Sequence, residues 1–432
     1  MPLPMTCYQE RRTKLQQQIA QNSVVILRAG SLCTRNSDCY YEFRPHSSFL
    51  YLTGYKESDA YLVITNQESI LFNLPKDPSK ELWDGFRHGV DGAVQQFGFD
   101  LAFPLTQLPQ KILDLLDSCH AVYSLFEDQE LQQQIHAWQQ TLVSKQRQGA
   151  KAPTKFIDIT DTINEMRLIK DTHEIAIMEQ AAQISVEAHK QAMMAAKVGM
   201  HEYELEAELN YTFMKSGART PAYNNIVASG KNACVLHYIE NDKKMQADDL
   251  VLIDAGCELD GYASDITCTF PVNGKFTSAQ AALYAIVLEA QKAAIEQVKV
   301  GAQYVNFHDA ALRVLTKGLV DLGLLQGEVD SLIDSKAYQP FYMHNTGHWL
   351  GLDVHDAGAY KLDGQSRPLQ AGMVVTVEPG LYVAHDNYDV DEQWRGIGIR
   401  IEDDVLVTEN GPYILTHGLA REIADIEALM AR

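Results

Sequence analysis

Three histidines crowd the segment HNTGHWLGLDVHD, at His344, His348 and His355, and four carboxylates break apolar runs elsewhere in the chain. Asp254 ends LVLIDAG, Asp265 opens DITCTF, Glu378 interrupts VVTVEPG and Glu402 interrupts IGIRIEDD. A carboxylate at the end of a buried strand is costly unless a cation or a set of hydrogen bonds compensates its charge. For any one of the four, a turn or Arg400 could supply that compensation; four together, with imidazoles nearby, point to metal. The set is hard and oxygen-rich, too many ligands for one tetrahedral zinc and suited to two divalent ions. Ions held about 3.5 to 4 Å apart by bridging carboxylates turn a shared water into a nucleophile for a carbonyl carbon. The expected reaction class is metal-assisted hydrolysis.

On an ideal helix the three histidines would share one face. Gly347, Gly351 and Gly358 argue against a helix, since each helical glycine costs about 1 kcal/mol relative to alanine. Asn345 also stands where the HExxH zinc motif needs Glu. The segment therefore reads as extended or irregular, with its histidines pointing in different directions and further ligands arriving from distant sequence.

The elements that must bring these residues together fall into two parts. Runs such as SVVILRAG, DAYLVITN and ESILFNL alternate with helical patterns such as QKILDLLDSCH, an α/β pattern. Between Thr141 and Lys155 the stretch TLVSKQRQGAKAPTK is polar and basic, which places a domain boundary just after it: domains 1–155 and 156–432. The second part opens with the helix DTHEIAIMEQAAQISVEAHKQAMMAAKVG, with Asp171 or Thr172 capping its start and Gly199 its end. A second helix and strands follow, and the same order then recurs. Lys-Val-Gly closes the first helix of both sets, at 197–199 and 299–301. Two related α/β halves are expected, their antiparallel strands joined around a cleft.

A chain of 432 residues is long for a single core, in keeping with two domains. The net charge of -21, without a basic stripe, excludes nucleic acid as the expected partner. No apolar run approaches eighteen residues and the first residues lack a signal-peptide pattern, so neither membrane insertion nor secretion is expected. Seven cysteines without a C-x-x-C pair suit reduced thiols, and a cytoplasmic location is expected.

Asp254, Asp265, His348, Glu378 and Glu402, in that order and spacing, resemble the five metal ligands of the pita-bread peptidases. HWLGLDVHD, TVEPGLY and WRGIGIRIEDDVLVTENG look most like the aminopeptidase P branch, and RNSDCYYEFRPHSSFLYLTGYKE resembles the start of its amino-terminal domain. The resemblance implies an α/β chain of the α+β type, a smaller N-terminal α/β domain followed by a pita-bread domain of two pseudo-repeated halves. It implies an Xaa-Pro aminopeptidase, with peptide substrates carrying proline second. Asp265 and Glu402 would bridge two divalent ions, Asp254 would chelate one, and His348 with Glu378 would complete the other. Manganese is the expected metal, with cobalt or zinc as alternatives. Glu378 would also relay a proton, and His237 and His355 would assist turnover without binding metal. His344 and Tyr382 would wall the proline pocket, and Arg400 would orient Glu402. Trp83 would cap the site of a neighbouring subunit in a homotetramer or dimer; the other reading of Trp83 is a core residue. Prolidase is the nearest alternative, and a non-catalytic pita-bread binding module the next.

Overall fold

The computed structural model describes residues 3–431. Its contacts divide between Arg167 and Leu168, rather than after residue 155. Strand Phe156–Asp158 runs parallel to Ala121–Ser124 and is the last strand of the first unit's sheet. Three residues are too few to show a period, so nothing in the sequence marked this strand. Half of the basic stretch is structured too, as the end of helix Gln129–Ser144 and a short turn at Gln146–Gln148.

The first unit is a six-stranded mixed sheet in the order Leu101–Pro104, Ser69–Asn73, Tyr61–Thr65, Ser23–Arg28, Ala121–Ser124, Phe156–Asp158. Ser23–Arg28 lies inside it and is buried along almost its whole length, as a continuous apolar run requires when both faces are covered. Helix Leu108–Leu116 turns Leu108, Ile112 and Leu116 inward at four-residue spacing and packs with Val24, Ile26 and Val122.

The second unit carries the repeat. Helix Thr172–Ala195 begins with a reciprocal cap: the Asp171 carboxylate accepts from the backbone N–H groups of His173 and Glu174, while Glu174 accepts from the Asp171 N–H. It packs on helix Glu202–Lys215, and Ser278–Ile295 packs on Val305–Asp321 in the same way. The Lys-Val-Gly echo is structural rather than a shared helix end, because the first helix of each pair stops earlier, at Ala195 and Ile295. Gly199 and Gly301 both take left-handed backbone, at φ 91° and 84°. Gly199 N–H donates to Met245 and Met245 N–H to Met200; Gly301 N–H donates to Leu369 and Leu369 N–H to Ala302. These paired exchanges fix where the following strands start. Asp254 lies as far beyond Met245 as Glu378 lies beyond Leu369, so the two acids hold equivalent places in the halves.

The strands are short and antiparallel: Ile226–Ser229, Leu250–Asp254 and Thr267–Pro271 in one half, Val374–Val377, Asp403–Thr408 and Gly411–Ile414 in the other. A further pair, Gly380–Val383 with Ile397–Arg400, joins them. The halves meet where Glu402 N–H donates to the Thr267 carbonyl at 3.0 Å. Among the described residues, no helix is long and apolar enough to cross a membrane.

Candidate metal centre

The histidine segment is not helical. Residues 346–350 run antiparallel beside 374–378: Leu350 N–H donates to Val374, Thr376 N–H to His348, and Glu378 N–H to Thr346. Gly347 permits this approach, because a Cβ there would lie 1.9 Å from the Thr376 carbonyl oxygen. In an extended chain the three histidines face different ways, and each meets different partners.

His348 turns Nδ1 to the Trp349 carbonyl at 2.9 Å. Its Nε2 lies 3.4 Å from Asp265 and 3.7 Å from Glu378. A ring fixed by its other nitrogen is the usual arrangement of a ligating histidine. Ligand atoms of Asp265, His348 and Glu402 all lie within 4.8 Å of one another. Asp254 adjoins them through Tyr223, whose hydroxyl contacts Asp254 at 2.6 Å and also Asp265. Thr267 donates to Glu402 at 2.6 Å, and Asp265 N–H donates to Asp404 at 3.1 Å. The structure thus brings Asp265, His348 and Glu402 together, with Asp254 linked to them through Tyr223 and Glu378 lying next to His348.

The donor set fits divalent cations. Burial first, then the charges of Asp265, Glu378 and Asp254, holds the Glu402 carboxyl well above its ordinary range. Asp265 is raised by burial and by Asp254, against the pull of His348, and burial raises Glu378 in the same direction. Burial alone would lower His348, but its hydrogen bond to Asp265, the charge of Asp265 and that of Glu378 outweigh it and push it up to about 9. A cluster of acids that raise one another is short of positive charge, which is what paired cations provide.

Beside the cluster, His344, Tyr382 and Arg400 form a hydrogen-bonded chain. His344 donates from Nδ1 to Asn345 at 2.7 Å, which leaves Nε2 to accept the Tyr382 hydroxyl at 2.8 Å. Burial and Arg400 lower His344 to about 3, in keeping with a neutral ring. Arg400 donates to Tyr382 at 3.1 Å and to Asp254 at 2.6 Å. No hydrogen bond runs from Arg400 to the Glu402 carboxylate; the link passes through Thr267, which accepts from Arg400 Nε at 3.2 Å. The His355 ring stands edge-on to His348 at 4.3 Å. His237 is exposed and lies close enough to His344 and His355 to interact electrostatically with both. Trp83 belongs to the first unit, on helix Pro78–Asp84, and is 84% exposed, so it is not a core residue.

Tyr223, Thr267, Thr376 and Asp404 are the supporting residues that the sequence did not disclose. Each is an ordinary polar residue in an ordinary strand or turn, and only folding puts its side chain beside a ligand. His189 belongs with them: fully buried, it contacts the Ala255 carbonyl at 2.8 Å and the Cys268 sulfur at 3.0 Å.

A buried cluster of acids and imidazole drawn from two related halves defines the class as a metal-dependent hydrolase. Residues 176–409 match metallopeptidase family M24, and residues 8–123 match the aminopeptidase P N-terminal domain. The chain is 46% identical over 432 residues to the Xaa-Pro aminopeptidase of Haemophilus influenzae, covering 99% of this chain and 98% of that one. It is 44% identical over 429 residues to the Xaa-Pro aminopeptidase of Escherichia coli, covering 98% and 97%. The structure of Pseudomonas aeruginosa aminopeptidase PepP superposes with a TM-score of 0.98 at 46% identity, over 99% of this chain and 98% of that chain. Escherichia coli aminopeptidase P with the inhibitor Pro-Leu gives 0.96 at 44% identity, over 100% and 99%. The chain belongs to metallopeptidase family M24. Its two halves form the pita-bread fold of the aminopeptidase P structures it matches.

Proposed function

We propose that this metalloexopeptidase releases the N-terminal residue from peptides with proline second, through a dinuclear centre held by Asp254, Asp265, His348, Glu378 and Glu402. The observation that carries this reading is the convergence of Asp265, His348 and Glu402 within 4.8 Å, with Asp254 and Glu378 at their margin. The Haemophilus and Escherichia relatives are Xaa-Pro aminopeptidases, and one Escherichia structure holds Pro-Leu. Two divalent ions, manganese best suited to so carboxylate-rich a shell and cobalt or zinc next, would supply Lewis acidity at the scissile carbonyl and acidify the attacking water.

The chain's own residues do the rest. Asp265 and Glu402 would serve both ions, Asp254 one of them, and His348 with Glu378 the other. Glu378 takes a proton from the attacking water and passes it to the leaving proline nitrogen, a general base and then a general acid. That nitrogen carries no hydrogen, so an apolar and aromatic slot must replace the hydrogen bond that aligns other peptides. His344 and Tyr382 form its wall, tied by Arg400 to Asp254. His355 steadies the oxygen of the tetrahedral carbon, and His237 approaches the substrate from its loop. Trp83 stands exposed beside Leu82 and Phe86, which are 81% and 96% exposed; a second copy of the chain covers them, in a tetramer or dimer in the cytoplasm.

The test is to strip the protein with chelator, restore it with Mn, and assay Xaa-Pro, Xaa-Pro-Yaa and Xaa-Ala-Yaa peptides. Cleavage of Xaa-Pro-Yaa at the first bond is expected. Cleavage of the dipeptide alone would make the protein a prolidase, and inertness after metal loading would make it a binding module.

A further inference from the structure

The loop that presents His237 is an anomaly of length. Strands Ile226–Ser229 and Leu250–Asp254 are antiparallel neighbours, with Ser229 opposite Val251, yet all of 230–249 connects them. Ordinary hairpin loops have roughly two to five residues, and long connections need a surface of their own to hold them. Here only the short turn Gly230–Cys234 is regular.

That surface is one face of helix Glu202–Lys215. Glu202, Glu206 and Asn210 recur every four residues and therefore share a face. Glu202 is completely buried. One carboxylate oxygen accepts from Ser229 N–H at 2.8 Å, the Ser229 hydroxyl at 2.6 Å and Asn232 Nδ2 at 3.1 Å. The other accepts from the Tyr238 hydroxyl at 2.8 Å and Lys243 N–H at 2.9 Å. All five donors come from the loop or the residue that enters it. Glu206 accepts from Asn241 at 3.0 Å, and Asn241 closes the loop by accepting from Val227 N–H at 2.9 Å. Asn210 accepts from Asn225 at 2.9 Å. Tyr238, the residue after His237, packs in an apolar cluster that contains Tyr382 of the proline wall.

We infer that Glu202 is a positioning residue for His237: its carboxylate gathers the loop on both sides of that histidine and fixes it over the site. The inference rests on the reading that His237 acts on the substrate. Glu202 touches neither substrate nor metal ligand, so its effect must pass through the loop.

The test is Glu202→Gln in the full, Mn-loaded chain on an Xaa-Pro-Yaa peptide. The amide keeps the shape of the carboxylate but turns an NH2 toward donors. Facing Tyr238, it forces that hydroxyl to reverse or to turn to Asp242, 3.5 Å away, and the Lys243 N–H loses its acceptor. The expected result is a fall in kcat of about tenfold, with KM and bound metal unchanged and faster amide hydrogen exchange in 235–243. In a His237→Ala background the same substitution should leave kcat where it was. Tyr238→Phe, which removes one donor, should show a smaller fall with the same dependence on His237, and it serves if Glu202→Gln does not fold. Equal losses with and without His237, or loss of metal, would overturn the assignment. If His237→Ala itself keeps wild-type kcat, the role of His237 is what fails. Hydrogen exchange then judges the clamp alone, faster exchange supporting it and unchanged exchange overturning it.

Discussion

Gly347→Ala adds one carbon and tests how narrowly the site is positioned. That Cβ would sit 1.9 Å from the Thr376 carbonyl oxygen and 2.9 Å from its carbonyl carbon. Carbon and oxygen tolerate contact down to roughly 3.3 Å, so segments 346–350 and 374–378 must part by more than an ångström. Both obstacles are backbone atoms, and no side chain can swing aside to relieve the clash. Parting loosens the bonds from Thr376 N–H to His348 and from Glu378 N–H to Thr346. Each is worth about 1 kcal/mol, for a loss of about 2 kcal/mol in stability. The larger effect falls on activity, since the segments carry His348 and Glu378, and a misplacement of about 1 Å costs on the order of a hundredfold. Urea denaturation and kcat/KM at saturating Mn measure the two effects. Gly364→Ala is the control: its φ of +79° strains alanine, but nothing lies within 4 Å. It should cost about 1 kcal/mol and leave kcat/KM unchanged. Wild-type kcat/KM in Gly347→Ala would refute the claim that this backbone approach places the ligands.

Other consequences follow from groups around the site. Lys170 and Asp356 form a buried ion pair at 2.9 Å, each 1% exposed, and Gly351 leaves room for it. Lys170→Met should cost about 3 to 5 kcal/mol by urea denaturation, and Lys170→Met with Asp356→Leu should recover part of it. Burial lowers His189 to about 4, below its ordinary 6.5, so the unfolded chain binds the extra proton. Its contribution is complete above pH 6.5 and is lost as pH falls toward 4, by about 3 kcal/mol in all; the His189→Gln protein should lack that portion of the pH slope. Glu402→Gln removes a carboxyl held up by burial and by its acidic neighbours, so metal-free protein should melt at a higher temperature while Mn no longer restores activity. Glu378→Ala should abolish turnover. His237→Ala should lower kcat with metal content near normal, whereas equal metal loss in both variants would contradict their separate roles.

Much of the chemistry was readable because ligand types are covalent facts. Carboxylates that interrupt apolar strands are visible wherever the strands sit, and the glycines around His348 spoke against a helix without any coordinates. The boundary was less legible. Phe156–Asp158 is a strand only because Ala121–Ser124 offers it an edge, and three residues carry no period to betray that pairing. Gly199 looked like a helix cap because glycine suits one, but its left-handed turn serves the exchange with Met245 instead.

The sequence by itself determined the residue types available as donors, the order of elements and the repeat, since these follow from residue type and from local period. Tertiary structure decided what each donor faces. Tyr223 reaches Asp254 and Asp265, Arg400 turns to Asp254 and Tyr382, and Glu202 collects a loop whose donors lie as far along the chain as Lys243. Direction and distance between remote residues depend on strand register and backbone approach, and a linear spacing holds neither.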